Sequence, residues 1–457
     1  MSTMAEEDKV ELKKPGLFSN YIVRDLTLWF IFMFILPIVL FAIYMLSKQS
    51  TDIESPSTHK WFTKPLQKVD LNNSDAVCND GSPASYYMRS TGSKVWIVLL
   101  EGGYFCYDQA SCSQRYLNSY NLTTSRMNSN FKFSNGILSS DPNENPKWSN
   151  INMVEIPYCS SDLWTGRKKS DEFSFMGYEI VSAVFDDLIK KTSIAQSELV
   201  MLTGVSAGGI GVLMNAERIQ KMFSLHAPKT KLKLVIDSSW QLDLPYSYLC
   251  TGNECLMKKF FDNAIKYWNA AIPDECARKE NGSMWNCFLP KKILNFIKMP
   301  VFVIQSKFDE TQLLEQFNHV NSKSNRIAET FRLMDKKLRE NLIDVDSYYV
   351  SSCVSHITLT SKDWSFFKVD NLKMSDALFE WAIGGKTPKL YDSCKWPDCQ
   401  GTCPSINHPG SSQHINSFEY LAYLGLVDRN QIAHKHKLSL NYLKKLNYFK
   451  LMKLIMD

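Results

Sequence analysis

Apolar and polar residues follow three different patterns along the chain. The first is a single unbroken apolar run, Leu26 to Leu46, reading LTLWFIFMFILPIVLFAIYML with no charged residue. Those 21 residues suffice for one bilayer span at the helical rise. Trp29 and Tyr44 stand near its ends, where interfacial aromatics belong, and Pro37 is tolerable in lipid. A secretory signal peptide has a shorter apolar region and a small-residue cleavage site, whereas Met45-Leu46-Ser47-Lys48 has none. The run therefore predicts an uncleaved signal anchor.

The second pattern consists of short apolar runs separated by helical periodicities. Val95–Leu100, Met153–Pro157, Leu199–Thr203, Leu232–Ile236 and Val301–Gln305 are rich in Val, Ile and Leu, as strands covered on both faces are. Between them, Phe175–Lys190, Gly209–Phe223 and Phe260–Trp268 space apolar residues as helices do, and Ile327–Leu342 mixes apolar and charged positions like an exposed helix. Alternation of this kind predicts an α/β fold with a mostly parallel sheet and helices on both faces. Residues 106–150, rich in Asn and Ser, read as long loops. The organisation expected is a cytosolic tail over 1–25, the span at 26–46, a stalk over 47–75, one catalytic domain over 76–405 and a C-terminal tail over 406–457.

The third pattern lies in that tail. Residues 429–457 hold seven Lys/Arg and one acid, interleaved with Leu438, Leu440, Tyr442, Leu443, Leu446, Phe449, Leu451 and Leu454. A basic amphipathic helix can meet a membrane surface or acidic glycans. The reading preferred here is plainer: a solvated helix packed on the domain, or a disordered tail.

Composition sharpens the picture in two places. Lys+Arg 52 against Asp+Glu 47 leaves +5 over 457 residues, too little to argue for a nucleic-acid partner. The twelve cysteines all lie after residue 77. Their even number and close spacing read as a disulfide framework in an oxidising compartment. Cys106–Cys112, Cys250–Cys255 and Cys276–Cys287 are the expected local bridges. A metal site is the rival, but no His lies close to a tight cysteine pair before His408, so neither metal nor cofactor is expected. Candidate glycosylation acceptors at Asn72, Asn121 and Asn281 agree with that compartment. Lys and Arg flank the span on both sides, so cysteines and acceptors decide its orientation. The expectation is a single-pass type II protein with its catalytic domain extracellular or lumenal.

The candidate chemistry starts at Gly204-Val205-Ser206-Ala207-Gly208. This is G-x-S-x-G between a predicted strand and a predicted helix, the context in which the motif exposes a nucleophilic serine. Small neighbours are needed because the turn is tight, and the helix N-terminus favours a developing anion. A second strand runs into Glu101-Gly102-Gly103-Tyr104, an oxyanion-loop pattern. The backbone N–H groups of Gly103, Tyr104 and Ala207 are the donors expected. In the order Ser, acid, His, Asp309 follows a strand end, with Asp237 and Glu310 as alternatives. Among eight histidines, His356 is the best base by position, and Cys353 can pin its loop. The array predicts acyl transfer through Ser206.

Further motifs occur in order: Leu100-Glu101-Gly102-Gly103, Gly136-Ile137-Leu138-Ser139-Ser140, Ile156-Pro157-Tyr158-Cys159-Ser160-Ser161-Asp162, Phe175-Met176-Gly177, Tyr267-Trp268-Asn269, Trp285-Asn286-Cys287-Phe288 and Phe308-Asp309-Glu310. Together they resemble the pectin acetylesterase/Notum family over roughly 76–405, nearer its animal branch. The resemblance implies an α/β-hydrolase fold, a metal-independent carboxylesterase and a triad of Ser206, Asp309 and His356. It also implies removal of a palmitoleate ester from Wnt proteins, which silences signalling. Acyl-pocket positions of the family correspond to Tyr104, Gln241, Phe261, Phe288, Leu289, Thr311, Glu315 and Thr360. Several members carry apolar residues where this chain has Gln241, Glu315 and Thr360, which implies a reshaped pocket or a shorter acyl group. Two alternatives stand beside lipid deacylation: deacetylation of an acetylated glycan, and a non-catalytic ectodomain that sequesters a ligand.

Overall fold

The computed structural model describes residues 63–242, 244, 250–251, 254–317 and 326–457, with backbone only at 250–251 and 254–257. The expected span at 26–46 and the stalk as far as residue 62 lie outside the described residues. Among the described residues, no helix is long and apolar enough to cross a membrane.

A ten-stranded sheet organises residues 63–457. Its strands are β1 (Leu66–Asp70), β2 (Ser85–Arg89), β3 (Val95–Leu100), β4 (Phe131–Lys132), β5 (Asn152–Ile156), β6 (Leu199–Val205), β7 (Lys231–Asp237), β8 (Val301–Phe308), β9 (Ser347–Val354) and β10 (Lys389–Tyr391). Their spatial order is β10-β9-β8-β7-β6-β3-β5-β2-β1-β4. The seven strands from β10 to β5 are parallel, and β2, β1 and β4 extend that edge by antiparallel pairing. The five predicted strands all fall in the parallel part. Each is apolar on both faces because helices cover both. Trp96, Val98 and Leu100 of β3 enter one core, while Ile97 and Leu99 enter the other, the period of two that a strand imposes.

Helix α1 (Gln109–Asn118) is capped by Asp108, whose side chain accepts from the N–H of Ser111. Its presence corrects the expectation of loops throughout 106–150: the Asn- and Ser-rich composition belongs partly to helix caps. Helices α2 (Gly177–Lys191) and α3 (Ala207–His226) bury Ile180, Val184, Leu188, Val212, Ala216 and Ile219 against one face. Helices α4 (Leu256–Trp268), α5 (Glu310–Phe317) and α6 (Ile327–Asn341) follow, and α7 (Met374–Ala382) covers the opposite face.

The tail forms helices α8 (Ser417–Tyr423), α9 (Arg429–His436), α10 (Leu440–Lys445) and α11 (Tyr448–Met456). Leu421, Ile432, Leu443, Leu451, Met452 and Ile455 join the larger core, while Lys435, Lys444, Lys445, Lys450 and Lys453 stay exposed. The tail is thus packed on the domain.

Five disulfides connect described cysteines. Cys106–Cys112 and Cys276–Cys287 are the local bridges expected. Cys78–Cys159, Cys353–Cys403 and Cys394–Cys399 complete the set. The side chains of the expected Cys250–Cys255 bridge lie outside the described residues. Asn72, Asn121 and Asn281 are all exposed, as sugar attachment requires.

Candidate active site

Ser206 ends β6 and begins α3. Its backbone has a positive φ, with φ 53° and ψ −122°, and its N–H donates to the Asp237 carbonyl at 2.8 Å. The turn closes only because its glycines lack side chains. A Cβ on Gly204 would strike the Gly208 carbonyl, and one on Gly208 would strike the Leu100 carbonyl. The sharp turn lifts the Ser206 side chain to the C-terminal ends of the parallel strands, the face where open α/β sheets carry ligands.

The structure brings together the three side chains singled out in the sequence. His356 Nε2 lies 2.9 Å from Ser206 Oγ, and His356 Nδ1 lies 2.9 Å from Asp309 Oδ2. Asp309, buried at the end of β8, also accepts from Gln305 Nε2 at 3.1 Å and from the N–H of Gln312 at 3.1 Å. Burial disfavours the imidazolium of His356. The Asp309 hydrogen bond and charge, with Asp237 and Glu310 behind them, outweigh that, and the pKa is raised above the usual imidazole value.

The other two acids occupy different places. Glu310 accepts from the Tyr420 hydroxyl. Asp237, fully buried at the end of β7, braces the loop that carries His356. Its carboxylate accepts from the N–H groups of Thr358 at 2.8 Å and Leu359 at 2.7 Å. Ser238 Oγ donates to Asp237 at 3.0 Å and accepts from the N–H of Ile357 at 2.9 Å. Ile357 needs such a brace: it is β-branched, with φ 62°, a conformation such residues rarely take. Burial pushes the Asp237 carboxyl upward, opposed by the bonds from Leu359, Ser238 and Thr358. The Cys353–Cys403 bridge holds the same loop from β9.

The loop after β3 faces Ser206. Gly103 (φ 147°) and Tyr104 (φ 64°) both have positive φ, and a Cβ on Gly102 would meet the Val205 carbonyl and the Ser206 Cβ. Glu101, at the head of this loop, pairs with Lys132, which also reaches Glu155 at 3.0 Å. Burial and the Glu101 charge push the Glu155 carboxyl up to about 7, with Lys132 opposing. The Trp164 indole N–H donates to the Glu101 carbonyl at 3.1 Å. Both contacts tie the loop down from behind.

A cavity of about 110 Å³ opens beside Ser206. Of the acyl-pocket positions, Tyr104, Gln241, Phe261, Phe288, Leu289, Thr311 and Glu315 line it, and so does Ala207. Thr360 does not: its backbone lies against Gly136. Gly103 contributes no lining either. Phe105, Tyr107 and Phe260 complete the aromatic wall, with Phe105 and Phe261 rings 5.4 Å apart and Phe261 and Phe288 rings 5.0 Å apart. Those three were missed in the sequence, although Tyr104-Phe105-Cys106-Tyr107 is an aromatic cluster directly after Gly-Gly. Among the described residues, no group of three or more His, Cys, Asp or Glu side chains could hold a metal ion.

A Ser–His–Asp array at the ends of parallel strands, beside an aromatic cavity, defines a carboxylic ester hydrolase of α/β-hydrolase type. Residues 59–404 match the pectinacetylesterase family model. The chain is 35% identical over 396 residues to the palmitoleoyl-protein carboxylesterase NOTUM of Homo sapiens, covering 81% of this chain and 79% of that one. It is 34% identical over 389 residues to palmitoleoyl-protein carboxylesterase notum1a of Danio rerio, covering 80% and 77%. For the Drosophila melanogaster NOTUM the figures are 32% over 398 residues, 82% of this chain and 56% of the relative. The chain belongs to the pectinacetylesterase family.

Proposed function

We propose that the chain is a serine carboxylesterase that removes a fatty acyl group, of the palmitoleoyl type, from a lipidated Wnt protein and so restrains Wnt signalling. The observation that carries this is the continuous relay Ser206–His356–Asp309, with 2.9 Å at each step, at the mouth of a cavity walled by Phe105, Phe261 and Phe288. His356 takes the Ser206 proton as Oγ attacks the ester carbonyl. Asp309 fixes the imidazole tautomer and stabilises its charge. The developing oxyanion meets the N–H groups of Gly103, Tyr104 and Ala207. His356 returns the proton to the leaving alkoxide, then activates water to release the acid. The aromatic lining gives an apolar acyl chain a place to leave water. Disulfides and exposed acceptor asparagines support an extracellular or lumenal site of action, and the apolar run at 26–46 supports an anchor.

A second reading, deacetylation of a glycan, is favoured by one observation: Gln241 and Glu315 make part of the lining polar. A chain-length series separates the two. The full chain, with Ser206→Ala as control, is assayed on p-nitrophenyl esters from acetate to palmitoleate. A preference for medium or long chains that vanishes in the variant supports lipid deacylation and makes a lipidated Wnt peptide the next substrate. A preference for acetate moves the assignment to the glycan.

A further inference from the structure

The wall of the acyl cavity contains a carboxylate that the chemistry at Ser206 does not use. Glu315 lies on α5 and is only 9% exposed. The Tyr104 hydroxyl donates to its Oε1 at 3.1 Å and Gln241 Nε2 to its Oε2 at 3.3 Å. These partners come from the loops after β3 and after β7, so three separate segments converge on one carboxyl. Both donors are neutral, and no cation ion-pairs with Glu315 among the described residues. All three side chains line the cavity beside Ser206, together with Phe261 and Phe288.

We propose that Glu315, held by Tyr104 and Gln241, is the specificity-determining residue of the acyl cavity: its neutral form admits a wholly apolar chain, and its ionised form turns the enzyme toward short acyl groups. The inference rests on the esterase reading above and adds to it a control over chain length. An acetyl group occupies only the space next to Ser206. A long chain must lie along the lining and displace water from the carboxyl. That displacement is costly for a carboxylate without a positive partner and far cheaper for a neutral acid that keeps its hydrogen bonds.

The electrostatics place the change within reach. Burial raises the Glu315 carboxyl to about 7, against the lowering effect of the Tyr104 and Gln241 bonds. The titratable groups facing it are Tyr104 from the loop after β3, Asp309 at the end of β8 and His356 from the loop after β9. Asp309 favours the neutral form and His356 the charged one. Gln241 faces it as a neutral amide. The carboxyl is thus mostly neutral below about 7 and mostly ionised above it.

The overall rate also depends on His356, so rate alone is uninformative. The ratio of kcat/KM for two esters is not so confounded, because both esters use the same Ser206, His356 and Asp309. The test is that ratio, p-nitrophenyl octanoate over acetate, for the full chain between pH 5.5 and 8.5. The wild-type ratio is expected to fall about tenfold from pH 6 to pH 8, as the neutral fraction falls by that factor. Glu315→Gln, which keeps the shape and cannot ionise, is expected to give a ratio that no longer varies with pH and stays near the wild-type acid value. Glu315→Leu serves as a second uncharged variant should the Gln variant fold poorly. A purely structural tie between the loops would lower both esters together and leave the ratio alone. A flat wild-type ratio, or a slope that survives in both variants, overturns the inference while leaving the esterase intact. Absence of Ser206-dependent turnover on either ester overturns the esterase reading and the inference with it.

Discussion

Ser206, His356 and Asp309 stand on or just after three parallel strand ends, and every polar atom in their relay meets a partner. The cavity beside them is assembled differently. Much of its lining comes from the loops after β3 and β7, from α4 and α5, and from the turn around Phe288, with Leu163 and the start of α3 beside them. Where the relay is fully paired, the cavity leaves one carboxyl, Glu315, with neutral donors only. The contrast separates two problems. Chemistry is set by a turn and by strand order, features that a sheet imposes on local sequence. The lining is built from side chains that lie far apart in the sequence and meet only after folding.

The predictions probe that contrast. The largest effect belongs to Asp309→Asn, which keeps the shape but offers His356 the wrong tautomer. A loss of about 10⁴ in kcat is expected, with KM for short esters little changed, by steady-state kinetics. A loss below tenfold would mean that another acid carries the role.

Asp237→Asn tests the brace behind the relay. Asp237 touches no reacting atom; it holds the backbone at Thr358 and Leu359. Loosening the His356 loop is expected to cost about 10² in kcat and to lower Tm, for acetate and octanoate alike. A change confined to the long ester would assign Asp237 to the cavity instead.

The smallest effect is a displacement along the pH axis. His356 must be neutral to accept the Ser206 proton, and its pKa is raised by Asp309 against burial. Activity on acetate therefore declines as pH falls, with a midpoint above the usual imidazole value. In Asp309→Asn the midpoint should move to lower pH. An unmoved midpoint would show that Asp309 does not set the imidazole charge.

How much could be read from the sequence follows the same division. Gly204-Val205-Ser206-Ala207-Gly208 was legible because a strand, a tight turn and a helix must follow one another in the chain. Five of the seven parallel strands were legible because burial on both faces makes them continuously apolar. Strand β9 was not. It reads SYYVSSCV, and two of its three serines are satisfied internally: Ser351 Oγ lies 3.3 Å from Ser306 Oγ, and Ser352 Oγ donates to Asp392 at 2.7 Å. A buried strand with paired hydroxyls looks like a loop to any apolar periodicity. Helix α1 was masked by the Ser and Asp residues that cap it. The aromatic wall from Phe105, Tyr107 and Phe260 was hidden for another reason: an exposed-looking aromatic cluster and a helix face carry no mark that they will meet. Thr360, placed by family position alone, lies away from the cavity because its backbone packs on Gly136.

The most direct test of the central claim is the mass of the trapped enzyme. The full chain is mixed with a slowly turned-over octanoyl ester, quenched in acid, digested, and the peptide that contains Ser206 is weighed. An octanoyl mass on Ser206, missing in Ser206→Ala and lost in His356→Ala because His356 takes the serine proton during acylation, is the predicted result. Hydrolysis with no acyl group ever found on Ser206, or an acyl group on another residue, would contradict it.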